Sequence, residues 1–133
     1  MYRVFDTSVW IAYFNGIDDF RTNFLHYSLE YDQVCTIGVI VQEVLQGVKI
    51  DSKYYSLESH FKNLPSLPAP TFELYTGAAQ LYRLLRKQGI TIRKPNDCLI
   101  AQYCIYFDIE LCHNDVDFDK IATTCPLKIW KPI

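Results

Sequence analysis

The stretch VFDTSVWIAYF, residues 4–14, decides the predicted fold because it joins a strand directly to a helix. The segment Tyr2–Phe5 is apolar and partly β-branched or aromatic, which is typical of a buried strand. The polar run Asp-Thr-Ser at residues 6–8 provides good helix N-cap residues. Val9–Phe14 then predicts a short helix. A buried strand that passes at once into a helix favours an α/β protein.

The rest of the chain continues this alternation of strands and helices. Further strands are predicted at Gln33–Ile37, Leu64–Leu67, Asp108–Cys112 and Lys128–Trp130. Helices are predicted at residues 19–31, 38–47, 52–63, 71–87, 96–107 and 116–122. The pattern predicts an α/β sandwich around a mostly parallel central sheet, in a single domain that spans residues 1–133.

The composition agrees with a globular protein that has a real core. Of the 133 residues, 50% are hydrophobic and 21% are charged, which argues against disorder. The five cysteines form no CxxC pair, so a zinc site or a disulfide framework is not indicated, and reduced core thiols are expected. No secretory signal or membrane span is recognisable in the sequence, and a cytoplasmic location is expected.

Acidic residues fall close to the predicted strand ends. Asp6 ends the first strand, whereas Asp115 and Asp117 follow the strand at residues 108–112. Glu43 and Asp97 lie near the beginnings of their helices, among apolar neighbours where an unpaired carboxylate is costly. The carboxyl ends of parallel strands share one edge of the sheet, so these acids are expected to converge there.

Converging carboxylates without histidine or cysteine partners favour a hard cation, and Mg²⁺ or Mn²⁺ fits best. Such a site supports hydrolysis of phosphodiesters. Each acid taken alone has a simpler explanation. Asp6 could cap a helix, Asp97 could interact with a helix dipole, and Glu43 could face solvent.

Four segments in this order resemble the PIN-domain family, and within it the toxin ribonucleases of the VapC type. They are VFDTSVWIAYF, TIGVIVQEVLQG, GITIRKPNDCLIAQYC and LCHNDVDFDKIA, which begin at residues 4, 36, 89 and 111. The resemblance covers nearly the whole chain. It implies a three-layer sandwich, cleavage of RNA, and catalytic acids at Asp6, Glu43, Asp97 and Asp115.

The resemblance also implies a set of ligands and partners. It makes Asp6 and Asp97 the usual direct ligands of Mg²⁺ or Mn²⁺, with Glu43, Asp115 and Asp117 as further metal candidates. It suggests that substrate or ligands are positioned by hydroxyl and amide side chains, namely those of Thr7, Ser8, Thr91 and Asn114. Family members usually form homodimers and are held inactive by a cognate antitoxin.

The placement of the basic residues bears on the substrate. Arg93 and Lys94 lie just before Asp97, so they are expected at the rim of the site, in contact with RNA phosphate. Exposed tyrosines such as Tyr54, Tyr55 and Tyr75 would suit a protein interface, although ordinary half-buried packing is the favoured explanation for each tyrosine taken alone.

Three alternatives remain. The chain could be a catalytically inactive PIN-like module that binds protein or RNA, but the retained acids argue against it. A phosphatase of the receiver or haloacid class is disfavoured, since these enzymes need a nucleophilic Asp with a nearby Lys, and DTSVW lacks the DxD motif of the haloacid class. Cleavage of DNA by the same chemistry stays open, since the acids do not distinguish RNA from DNA.

Overall fold

The computed structural model describes all residues from 1 to 133 as seven helices and a short parallel sheet. No helix combines the length and the apolar character that crossing a membrane requires. The elements in chain order are β1 (Arg3–Phe5), α1 (Thr7–Phe14), α2 (Phe20–Glu30), α3 (Gly38–Gln46), α4 (Asp51–Lys62), α5 (Phe72–Lys87), α6 (Pro95–Tyr106), β2 (Glu110–Cys112) and α7 (Val116–Ala122).

The sheet is parallel throughout and is wider than its two named strands. β1 pairs with β2, with Val4 opposite Leu111. Single parallel bridges extend it on both sides and are Arg3 to Val34, Thr36 to Ser66, and Leu111 to Ile129. The predicted mostly parallel sheet between helices is therefore confirmed.

The predicted strands at residues 33–37, 64–67 and 128–130 were too long, because each contributes only isolated bridges to the sheet. One reason lies at the edge next to Thr36. Pro65 accepts a hydrogen bond from the Thr36 amide but has no amide hydrogen of its own to continue the ladder. The predicted helices are all present, with ends that differ by one or two residues.

Helix α5 shows how the sequence pattern produces the core. Its inner stripe of Leu74, Ala78, Leu81 and Leu85 is buried, as the helical spacing predicts. The hydroxyl of Thr71 caps the helix by accepting a hydrogen bond from the Leu74 amide at 3.2 Å. This helix packs on α6, which buries residues around most of its circumference.

The cysteines behave as the sequence predicts. All five thiols are free, and four of them are buried in or beside the core cluster. Burial raises the pKa of the Cys35 thiol to about 11, so this thiol stays protonated and unreactive at neutral pH.

The carboxyl ends of β1 and β2 are tied together. The Asp6 amide donates to the Cys112 carbonyl at 2.9 Å, and the Asn114 amide donates to the Ser8 hydroxyl at 3.1 Å. The loops that follow both strands therefore meet, and they bring Asp6 and Asp115 to the same edge of the sheet.

The α5 stripe makes a direct stability prediction. Leu85 is fully buried whereas its neighbour Leu84 is 43% exposed. We expect Leu85→Ala to lower the free energy of unfolding by about 2–5 kcal/mol, since it removes buried methyl groups and leaves a cavity. The matched change Leu84→Ala should cost less than about 1 kcal/mol. Urea unfolding followed by circular dichroism measures both, and equal losses would contradict the predicted orientation of α5.

Candidate metal centre

Asp6 has two roles at the end of β1. It is the N-cap of α1, and its Oδ2 accepts hydrogen bonds from the Ser8 amide at 3.2 Å and the Ser8 hydroxyl at 2.8 Å. Asp6 therefore does cap α1, as one interpretation of the sequence predicted. Both hydrogen bonds fall on Oδ2, which leaves Oδ1 for another ligand. Asp6 is only 5% exposed, so its carboxylate is buried.

Glu43 does not simply face solvent. It is half-buried on α3, and its Oε1 accepts a hydrogen bond from the Thr7 hydroxyl at 2.9 Å. Thr7 is the first residue of α1, so this hydrogen bond connects α3 to the beginning of α1. Thr7 is thus placed to orient Glu43.

Asp97 is the most perturbed acid of the group. It is 3% exposed in the first turn of α6, and its Oδ2 is buried with no hydrogen-bond partner. The pKa of Asp97 is raised from 3.8 to about 7, chiefly by burial and also by the charges of Asp6, Asp115 and Glu43, whereas the charge of Lys94 lowers it. These four acids therefore act on one another electrostatically, although they come from four separate parts of the chain.

Asp115 and Asp117 share one arginine. Asp115 is the N-cap of α7, and its Oδ1 accepts from the Asp117 amide at 3.0 Å and lies 3.3 Å from an Arg93 terminal nitrogen. The Arg93 Nε donates to Oδ2 of Asp117 at 3.2 Å. The backbone amide of Arg93 also donates to this oxygen, at 3.4 Å. The Arg93 side chain is 66% exposed, so it contacts both acids from the protein surface.

Two lysines complete the positive surroundings of these acids. Lys94 Nζ lies 3.8 Å from Oδ2 of Asp115, and Lys120 Nζ lies 3.6 Å from Oδ1 of Asp117. Burial by itself would raise the pKa of Asp117, but the hydrogen bonds and charge of Arg93 and the charge of Lys120 lower it overall. Sequence reasoning missed Lys120. The spacing of three residues between Asp117 and Lys120 on one helix could have indicated the pair.

The remaining predicted site residues make fewer contacts with the acids. Ser8 joins Asp6 to the Asn114 amide through its hydroxyl. The Asn114 side chain is exposed and makes no hydrogen bond to the acids, and the same holds for Thr91. His113 is buried, and its Nδ1 accepts from the Asp115 amide at 3.0 Å. His113 thus has a hydrogen-bonding role beside the acids.

The donor set fits a hard divalent cation. Carboxylate oxygens of Asp97, Asp115 and Asp117 lie within 4.8 Å of one another. Carboxylates are the ligands that Mg²⁺ and Mn²⁺ prefer. The partnerless Oδ2 of Asp97 and the raised pKa of this group are the signs of a site that a cation would stabilise. Asp6 and Glu43 lie outside this close triad but near enough to raise the pKa of Asp97.

Comparison with known families agrees with the geometry. The family model for the PIN domain matches residues 3–123. The chain is 34% identical over 119 residues to the VapC ribonuclease Mb1587 of Mycobacterium bovis, with 88% of this chain and 89% of the relative covered. Ribonuclease VapC11 of Mycobacterium tuberculosis matches to the same extent.

The fold is also similar to that of a solved structure. The VapBC2 complex of Rickettsia felis, bound to a DNA fragment from its promoter, contains a chain that matches with a TM-score of 0.75 at 20% identity. The match covers 98% of this chain and 100% of that one. The protein therefore belongs to the PIN-domain family, and within that family to the VapC ribonucleases.

The buried charge of Asp97 makes a prediction about stability and pH. The folded protein holds a proton on Asp97 up to about pH 7, whereas the unfolded chain loses it near 3.8. The folded state thus binds more protons between these values, so this group's contribution to stability falls as the pH rises from about 4 to 7. In EDTA at about pH 8, we expect Asp97→Asn to raise the free energy of unfolding by a few kcal/mol.

Thermal melting at several pH values measures this effect. The gain from Asp97→Asn should shrink as the pH is lowered toward 5, because the wild-type carboxyl is then mostly protonated in the folded state. Asp51→Asn, which removes an exposed acid, is the matched control and should show no such trend. A gain that does not change with pH would contradict the raised pKa of Asp97.

Proposed function

We propose that this protein is an endoribonuclease that hydrolyses RNA with Mg²⁺ or Mn²⁺ held by its buried acids. The observation that carries the proposal is the convergence of Asp97, Asp115 and Asp117, with one Asp97 oxygen buried and without a partner. Membership in the VapC ribonucleases supplies the reaction class.

The acids divide between metal binding and positioning. Asp6, Asp97 and Asp115 are the proposed direct ligands, with Glu43 as a further catalytic acid held in place by Thr7. A bound Mg²⁺ or Mn²⁺ would polarise the scissile phosphate and lower the pKa of a water molecule. Asp117 can serve as a ligand, but its contacts with Arg93 and Lys120 also make it the anchor of these cations.

The cations beside the acids account for binding of a polyanion by a chain of net charge −2. Arg93 and Lys94 are 66% and 61% exposed in their side chains, so each can turn toward a phosphate while it remains next to Asp115. Ser8 keeps Asp6 oriented, and Thr91 and Asn114 have free polar groups for the substrate strand.

A protein antitoxin is the proposed partner. Solved structures of similar fold include the VapBC complexes of Rickettsia felis and Salmonella typhimurium. Tyr55 and Tyr75, which are 65% and 56% exposed, give the chain large aromatic surfaces for such contacts. Homodimer formation and a cytoplasmic location stay predictions.

The direct test of the function is RNA cleavage by the purified, partner-free protein. We expect cleavage of total RNA with Mg²⁺ or Mn²⁺ and none with EDTA. The double change Asp6→Asn, Asp97→Asn should reduce the rate by at least roughly a hundredfold, because metal chemistry is worth several kcal/mol of the barrier. A single-stranded DNA tested in parallel decides whether the cleavage is restricted to RNA.

The matched control removes two exposed acids outside the site, with Asp51→Asn and Glu73→Gln together. This double variant should cut RNA at the wild-type rate. If the wild-type protein and the site variant are equally inert with every metal, catalysis is excluded and the chain acts as a PIN-like binding module.

Arg93 makes a separate prediction about metal affinity. Its guanidinium lies against both Asp115 and Asp117, so its positive charge opposes a cation bound there. We expect Arg93→Gln to raise the affinity for Mn²⁺ by about threefold to tenfold, as measured by calorimetry without RNA. Arg86→Gln, at an exposed arginine outside the site, is the control. Weaker binding of Mn²⁺ by Arg93→Gln would show that this arginine supports the metal site.

A further inference from the structure

None of the acids assigned to the metal centre lines an open cleft of about 990 Å³. It is formed where the beginning of α2, the helix α7 and the last residues of the chain come together. Its lining includes Phe20, Arg21, His113, Asp119, Trp130 and Lys131. The cleft is at the upper end of the size range of small-molecule sites.

His113 lines the cleft and also contacts the backbone of Asp115. The Nδ1 of this histidine accepts from the Asp115 amide, while its Nε2 lies 3.2 Å from the Asp119 carboxylate in the cleft wall. Because Nδ1 accepts a hydrogen bond, the ring proton resides on Nε2. One buried side chain therefore contacts both the backbone of a proposed metal ligand and the lining of the cleft.

Aromatic rings form a platform in this cleft. The Trp130 indole stacks on Phe24 with centroids 4.0 Å apart and planes 7° apart, which holds the indole rigidly. Phe20 lies 6.1 Å from Trp130 at an angle of 29° and is 46% exposed. Rigid, partly exposed aromatic rings of this kind are the surfaces on which unpaired nucleic-acid bases stack.

Uncompensated positive charge accompanies the platform. The Arg21 guanidinium lies 4.4 Å above the Phe20 ring, and neither Arg21 nor Lys131 has a carboxylate within ion-pair distance. The acid in the lining, Asp119, lies 3.2 Å from His113, so the lining holds two cationic side chains, Arg21 and Lys131, and one carboxylate. Aromatic rings beside free cations match the two parts of a nucleotide, a base and its phosphate. A carboxylate at the wall can accept from a base amino group.

We propose that this cleft binds one nucleotide of the RNA strand, with its base stacked at Trp130 and Phe20 and its phosphate at Arg21 and Lys131. The inference rests on the proposed ribonuclease function and deepens it, because it assigns the substrate a second contact beside the acids. The cleft would then fix which part of a single strand reaches the metal centre.

Binding to an RNA oligonucleotide tests the cleft without catalysis. The full-length protein in EDTA is titrated with a short single-stranded oligoribonucleotide, and tryptophan fluorescence is followed. Trp10 is 1% exposed, so a change on RNA binding reports Trp130, and Trp130→Phe should abolish it. Arg21→Gln and Phe20→Ala should weaken binding about tenfold, as measured by anisotropy of a labelled oligonucleotide.

Arg86→Gln is the matched control for Arg21→Gln, since Arg86 also lies over an aromatic ring, at 5.8 Å from that of Tyr82, and has no ion pair. It should bind RNA like the wild type. Thermal melting checks that Phe20→Ala remains folded, and Arg21→Gln leaves the Phe20–Trp130 contact in place. In Mn²⁺, Arg21→Gln should raise KM for the oligonucleotide with little change in kcat.

The outcomes separate the cleft from the proposed function. If Arg21→Gln and Phe20→Ala bind and cleave RNA like the wild type, the nucleotide site is wrong even though the protein is a ribonuclease. If the wild type cleaves nothing but these variants still lose RNA binding, the cleft is supported and the proposed catalysis fails.

Discussion

The structure depends on the electrostatic cost of bringing several carboxylates together at one buried edge of a sheet. Asp6, Asp97 and Asp117 are each at most 5% exposed, and Asp97 has an oxygen with no partner. Such charges repel one another and lose hydration, so each needs a proton, a hydrogen bond or a cation. Each acid is stabilised by a different one of these three groups. These differences explain most of the contacts around the acids.

Asp6 accepts hydrogen bonds from Ser8, Asp117 lies against the cations Arg93 and Lys120, and the pKa of Asp97 is raised so that this acid holds a proton more readily. Only the last of these arrangements leaves an acid without a protein partner at neutral pH. A bound divalent cation would replace that proton at little structural cost, because Asp6 and Asp115 are already oriented as the caps of α1 and α7. The centre is thus organised before any metal binds.

Positively charged side chains lie on both sides of His113. Arg93 stabilises Asp115 and Asp117 in the metal-free chain, yet it is exposed enough to meet a phosphate. On the other side of His113, Arg21 stands free above an aromatic platform. The proposed RNA strand would contact Arg93 beside the acids and Arg21 in the cleft, so local positive charge is available in a protein whose net charge is −2.

Local sequence patterns were sufficient to predict much of the fold and of the acid site. Short-range periodicity located the buried stripe of α5, and the polar run after β1 placed Asp6 at a helix cap, because both signals involve residues within one or two helical turns. The acids at strand ends could be expected to converge, since parallel strands share an edge. The family resemblance rested on the same segments.

Tertiary structure alone decided which groups actually touch. The Thr7 bond to Glu43 spans 36 residues, and the Arg93 contacts with Asp115 and Asp117 span 22 and 24. Trp130 finds Phe24 only because the last bridge of the sheet brings the end of the chain beside α2. No periodicity encodes such pairs. They follow from how whole helices pack on the sheet, and that packing also sets the burial that raises the pKa of Asp97.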